Sequence, residues 1–139
     1  MKQISREWLH AVEDDLAAAK LLLTEEHLTN VVSFHAQQAA EKSFKALIEE
    51  YDLGSIKIHS LERLYGKIKH IAVVKDLETL RRLNTLYIES RYPGELGLLP
   101  EGKPTKKDAS AFLAFARDIY SQVSIILQKP NNEQQITLI

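Results

Sequence analysis

Trp8, Val12, Leu16, Ala19 and Leu23 recur every three or four residues, a spacing that stacks them on one side of a helix. The pattern predicts a first helix over residues 5–26. Ser5 is placed to cap it, and Glu7, Glu13, Asp14 and Asp15 favour its N-terminal half through the helix dipole. A second helix is expected over 28–51, where Ala36, Ala39, Ala40, Ser43, Phe44, Leu47 and Tyr51 form one stripe at about 100° per residue. Ala36, Ala39, Ala40 and Ser43 are small, so another helix can approach closely there. Gly54 ends that region. Ser60 is a cap for a third, shorter helix bearing Leu61, Leu64, Tyr65, Ile68 and Ile71. A fourth helix is expected from Val74 to Ser90. The glycines and prolines between Tyr92 and Pro104 cannot continue it. Thr105 with Asp108 resembles a capping box that opens a fifth helix, with Ala109, Phe112, Ala116, Ile119, Val123, Ile126 and Leu127 on one face, stopped by Pro130.

No segment alternates like a strand, so the expected fold class is all-α, an up-and-down bundle of about five helices. The 139 residues suit one domain, assigned to 1–130, with a C-terminal tail at 131–139 whose Ile136, Leu138 and Ile139 are expected to dock. Cysteine is absent, which removes thiolate chemistry and fits a reducing, cytoplasmic setting. The start Met1-Lys2-Gln3 is not that expected of a secretion signal, and no apolar run is long enough to span a membrane. The net charge is −1, so binding of nucleic acid has to come from a local patch.

The polar positions sharpen the picture. His35, Gln38, Lys42, Lys45 and Glu49 share one side of the second helix, opposite its alanine-rich stripe. The simpler expectation for them is a solvated face. Val31 and Phe34 project to the same side, which favours a groove lining instead. Gln37 and Glu41 lie one turn apart at the border of the core stripe, where helix-to-helix hydrogen bonds are expected. On the fourth helix Leu77, Leu80, Asn84, Tyr87, Ile88 and Arg91 share a stripe, so Asn84 and Arg91 interrupt an apolar face. An unpaired buried guanidinium is costly, so Arg91 needs a carboxylate, helix-end carbonyls, a subunit groove or a phosphate. The histidines form no metal-binding signature, and His59 belongs most simply to a helix start. There is neither a glycine-rich phosphate loop nor a Gly-x-Ser-x-Gly elbow, so neither a metal nor a cofactor is expected. Lys103, Lys106 and Lys107 form a small basic spot, most simply solvated.

The stretches from Trp8 to Leu23, SFHAQQAAEKSFKAL, His59-Ser60-Leu61 and Tyr87-Ile-Glu-Ser-Arg-Tyr-Pro93 occur in the order seen in HEPN domains, the higher eukaryotes and prokaryotes nucleotide-binding family, which the chain resembles from Trp8 to Leu127. The resemblance implies a homodimeric helical bundle, often encoded beside a nucleotidyltransferase-like partner, and many members resemble ribonucleases or toxins of toxin–antitoxin pairs. Ribonuclease-type members carry Arg, four to six residues, then His at a helix end. Counting on from Arg91 reaches Leu96, Gly97 and Leu98, and counting from Arg81 or Arg82 reaches Tyr87, a poor general base near neutral pH. Arg91 and Tyr92 match the Arg-Tyr-Pro element of the branch that looks non-catalytic.

The expected function is therefore a nucleotide- or RNA-binding homodimeric module working with a nucleotidyltransferase-type partner in a toxin–antitoxin-like pair. In it Arg91 contacts phosphate, Lys42, Lys45 and His35 supplement the site, and Tyr92 stacks on a base. One alternative is a metal-independent ribonuclease using His35 or His59 with Arg91. The other is an oligomerising adaptor in which Asp15, Gln37, Glu41, Asn84 and Tyr87 form a structural polar network and Arg91 pairs with Asp15 or Glu41.

Overall fold

The computed structural model describes residues 1–86 and 96–129. Among these residues five α-helices run in order: α1 (Gln3–Leu22), α2 (Thr29–Glu50), α3 (Leu61–Ile68), α4 (Leu77–Asn84) and α5 (Lys106–Gln128). No strand occurs among the described residues, and the only β-like feature there is an isolated bridge between Leu99 and Gly102. The all-α bundle expected from the hydrophobic periodicity is the observed fold.

The long helices α1, α2 and α5 form the body, with α2 at its centre. Val32, Ala36, Ala39, Ala40, Phe44 and Leu47 are buried, and the alanine run lets neighbouring helices close on α2. From α1 come Leu9, Val12 and Ala19; from α5 come Phe112, Ala116, Ile119 and Val123. The shorter α3 and α4 close one end of this core with Leu61, Leu64, Ile68, Leu80 and Leu83.

Helix ends follow local chemistry in most places. Ser60 accepts the Arg63 N–H and starts α3, and Thr105 and Asp108 form a complete capping box at α5. After α2 the chain turns through Asp52 and Gly54, both with positive φ. At the end of α5, Lys129 is already extended, as expected for a residue followed by proline.

Several boundaries differ from the sequence expectation. Helix α1 begins at Gln3 with no side-chain cap, and Ser5 is buried within its first turns instead of capping it. It stops at Leu22, and a short 3₁₀ turn, Glu26–Leu28, leads into α2. Tyr51 lies past the end of α2 and is exposed. Helix α4 starts only at Leu77, because Asp76 caps it by accepting the Thr79 N–H at 3.0 Å. Its described part ends at Asn84, and its buried face is Leu80 and Leu83, not a stripe from Leu77, which is 40% exposed. Tyr87, Ile88, Arg91, Tyr92 and the 131–139 tail lie outside the described residues.

The break before α5 is stitched onto the start of α2. Thr29 donates its hydroxyl to the Pro104 carbonyl at 2.7 Å, and Asn30 donates its amide to the Leu96 carbonyl at 3.1 Å. Gly97, at φ 73°, passes so close that a Cβ there would overlap the Asn30 carbonyl oxygen.

Candidate functional site

The polar residues of α2 meet α1 in a seam of paired charges. Asp15, placed by α1 and only 7% exposed, accepts Lys42 Nζ at 2.8 Å on one oxygen and faces His35 Nδ1 at 2.9 Å on the other. A carboxylate oxygen only accepts, so the His35 proton sits on Nδ1 and a neutral ring leaves Nε2 as an acceptor. Phe34 packs edge-on against that ring, with centroids 5.4 Å apart.

Within a turn of Lys42 along α2 lies a second, more deeply buried pair. Lys45 (6% exposed) donates to Glu41 (4% exposed) at 3.0 Å. Gln37 donates to the other Glu41 oxygen at 3.4 Å, and Gln38 donates to Gln37 at 2.8 Å. The Lys45 ammonium stands 5.6 Å from the centre of the Trp8 ring, a cation–π contact between the two helices. His59, on the exposed loop before α3, places Nδ1 3.6 Å from Glu41. Beside this pair, the Ser5 hydroxyl and the Trp8 indole N–H are buried with no protein partner.

The side of α2 expected to be solvated is therefore a helix–helix seam. Lys45 is buried, and His35, Gln38, Lys42 and Glu49 are half-buried. The reason is that α1 packs across this side and supplies both a carboxylate and an indole. Two carboxylates are neutralised within the seam, Asp15 by Lys42 and Glu41 by Lys45. Gln37 and Glu41 bond to each other within α2, not from helix to helix as expected. Helix periodicity gave no signal that Asp15 would hold Lys42 and His35, because that pairing depends on how α1 is rotated against α2.

Asn84 lies apart from the seam. Its side-chain oxygen accepts the Leu61 N–H at 2.7 Å, tying the end of α4 to the start of α3. Arg82, which the sequence considered only for its distance to a histidine, bridges α4 to α5. It donates to Asp108 at 3.1 Å and stacks 5.2 Å from the centre of the Phe112 ring. A shallow cleft of about 380 Å³ lies elsewhere, between residues 73–76 and the Phe115–Gln122 stretch of α5.

Among the described residues, no group of three histidines or carboxylates converges as a metal site, and no helix is long and apolar enough to cross a membrane. One arginine–histidine pair does have the spacing sought around Arg81, Arg82 and Arg91. Six residues separate Arg63 from His70, and counting only from the fourth helix overlooked it. Both side chains are exposed and they bracket α3, with Arg63 in its first turn and His70 beyond its end.

The HEPN domain family model matches residues 5–126. Neither a curated protein nor a solved structure gives a match. The helical bundle of the described residues agrees with that match, which spans nearly the whole length, and the chain belongs to the HEPN domain family.

Proposed function

We propose that this protein is a nucleotide- or RNA-binding HEPN module that acts as a homodimer beside a nucleotidyltransferase-type partner, in a toxin–antitoxin-like pair. Arg91 contacts phosphate and Tyr92 stacks on a base, with Lys42 and His35 at the edge of the site. The observation that supports the binding reading is the family match over residues 5–126; against the adaptor alternative stands the α1–α2 seam, where Asp15 already holds Lys42 and His35, and Glu41 already holds Lys45. Neither carboxylate requires Arg91, which weakens the adaptor reading in which one of them neutralises it. Lys45, buried against Glu41 and Trp8, serves the fold.

Titration of the full chain with nucleotides and short RNAs tests the proposal, with Arg91→Ala in parallel and sedimentation to read the dimer. Loss of a charge-assisted phosphate contact weakens binding about tenfold or more. Absence of binding by the wild-type chain removes the ligand half of the reading, and a monomer at micromolar concentration removes the dimer half.

A second reading, a metal-independent ribonuclease, is favoured by the Arg63–His70 spacing. A histidine can take the 2′-hydroxyl proton near neutral pH. RNA degradation that disappears in His70→Ala supports it, and intact RNA after prolonged incubation with the wild type rejects it.

A further inference from the structure

We infer that the outward face of α3 and its flanking loops, from Lys57 to His70, is the docking surface for the sugar-phosphate backbone of RNA. This deepens the nucleic-acid reading above and rests on it. The segment carries Lys57, Arg63, Lys67 and Lys69 against the single carboxylate of Glu62, in a chain whose net charge is −1. It is the local patch that so balanced a chain needs if it is to hold a polyanion. Lys57, Arg63, Lys69 and His70 are exposed and Lys67 is half-buried. None of the five lies within 4.0 Å of a carboxylate among the described residues. Glu62, which could have neutralised the patch, faces Asn84 at 3.5 Å.

Helix electrostatics explain only part of this arrangement. Lys67 and Lys69 lie at the C-terminal end of α3, where the dipole favours cations. Arg63 lies in the first turn, where the dipole disfavours a cation, so the dipole does not account for its presence.

Gly66 is the second, independent observation. It sits mid-helix between Arg63 and Lys67 without the positive φ that distinguishes Gly54, Gly97 and Gly102. A Cβ there would meet nothing within 4 Å. Neither backbone conformation nor packing calls for glycine, and a glycine inside a helix weakens it. Its effect is to leave bare, exposed backbone one turn from Arg63, which lets a phosphate approach closely, while the Lys67 ammonium lies toward Gly54 at the edge of the same surface.

The test is titration of the full chain with a fluorescent single-stranded RNA across a salt series. Four variants accompany the wild type: Arg63→Gln/Lys67→Gln, Gly66→Gln, Arg91→Ala, and Lys106→Gln/Lys107→Gln as a basic-surface control. The double α3 variant is expected to lose about tenfold or more in affinity, and its salt slope to fall by about 0.7 per phosphate contact removed. Gly66→Gln is expected to raise the thermal midpoint yet weaken RNA binding, a combination that a purely structural glycine does not produce. The control is expected to bind as the wild type does. If the wild type binds RNA and only Arg91→Ala weakens it, the α3 surface is overturned and the functional reading stands. If the α3 variants weaken binding and Arg91→Ala does not, the α3 surface stands and the role given to Arg91 falls. No binding by the wild type overturns both, and binding to phosphatidylserine vesicles without RNA binding overturns RNA as the occupant.

Discussion

At the scale of single residues, the two ion pairs of the α1–α2 seam make different commitments. Glu41 and Lys45 are both nearly closed to solvent, so removing one strands the other. Lys45→Ala is expected to cost about 3 kcal/mol in urea unfolding, whereas the double replacement Glu41→Met/Lys45→Met costs much less, because no buried charge is left unpaired. Equal costs for the two would show that shape, not charge, sets the penalty. Two titratable groups add pH dependence of opposite sign. The Thr105 backbone N–H, donating at 3.0 Å, holds Asp108 below the usual carboxylate value of 3.8, and Arg82 adds to the effect. A carboxyl with a lowered folded pKa stabilises the fold above pH 3.8 and loses that contribution as pH falls through its folded value. Burial, and then the Glu13 carboxylate at 2.8 Å, hold the Tyr120 phenol above its ordinary 10.0. The folded state then keeps a proton that the unfolded chain gives up, so stability falls as pH rises past 10.0. Denaturation followed across pH is expected to show a shallower acid limb in Asp108→Asn and a shallower alkaline limb in Tyr120→Phe.

At the scale of elements, ends and joints matter more than helix interiors. The capping box predicts that Thr105→Ala costs about 1 kcal/mol. Gly97→Ala is expected to cost about 3 kcal/mol, since it adds both left-handed strain and an overlap with the Asn30 carbonyl. Gly66→Ala is expected to have the reverse sign, a gain of about 0.5–1 kcal/mol, because its site is helical and open. Thermal unfolding of the three variants ranks them directly, and a destabilised Gly66→Ala would contradict the reading of that glycine. Helix periodicity placed α2 and α5 closely. It started α4 three residues early, at Val74, because it gave no weight to Asp76, whose capping of Thr79 fixes the start at Leu77. It also placed the start of α1 at Ser5, whose hydroxyl proved to be buried. A serine near a helix start reads as a cap from sequence, and only the packing of α2 reveals which way it points.

At the scale of the whole molecule, the main core runs from α1 through α2 to α5, with α3 and α4 closing its end, and a second, smaller cluster gathers Ala19, Val32, Ala109 and Leu113 from the same three long helices. Trp8, the single tryptophan, stands at the α1–α2 seam. Its fluorescence is expected to change together with far-UV circular dichroism in one transition, and separate midpoints would mean that the seam opens before the bundle unfolds. The sequence by itself determined the fold class, the capping box at Thr105 and the family, because periodicity, caps and breakers are local properties. It also carried the spacing of Arg63 and His70 and the excess of cations from Lys57 to His70. Only the tertiary structure decided that a row of polar residues on α2 lies in a helix–helix seam, mostly half-buried, that Asp15 holds Lys42 and His35, and that Gly66 stands in open space. The reason is physical: the translation and rotation of α1 against α2 arise from packing many side chains at once. A shift of one helical step would return those lysines to water with no change in the pattern along the chain.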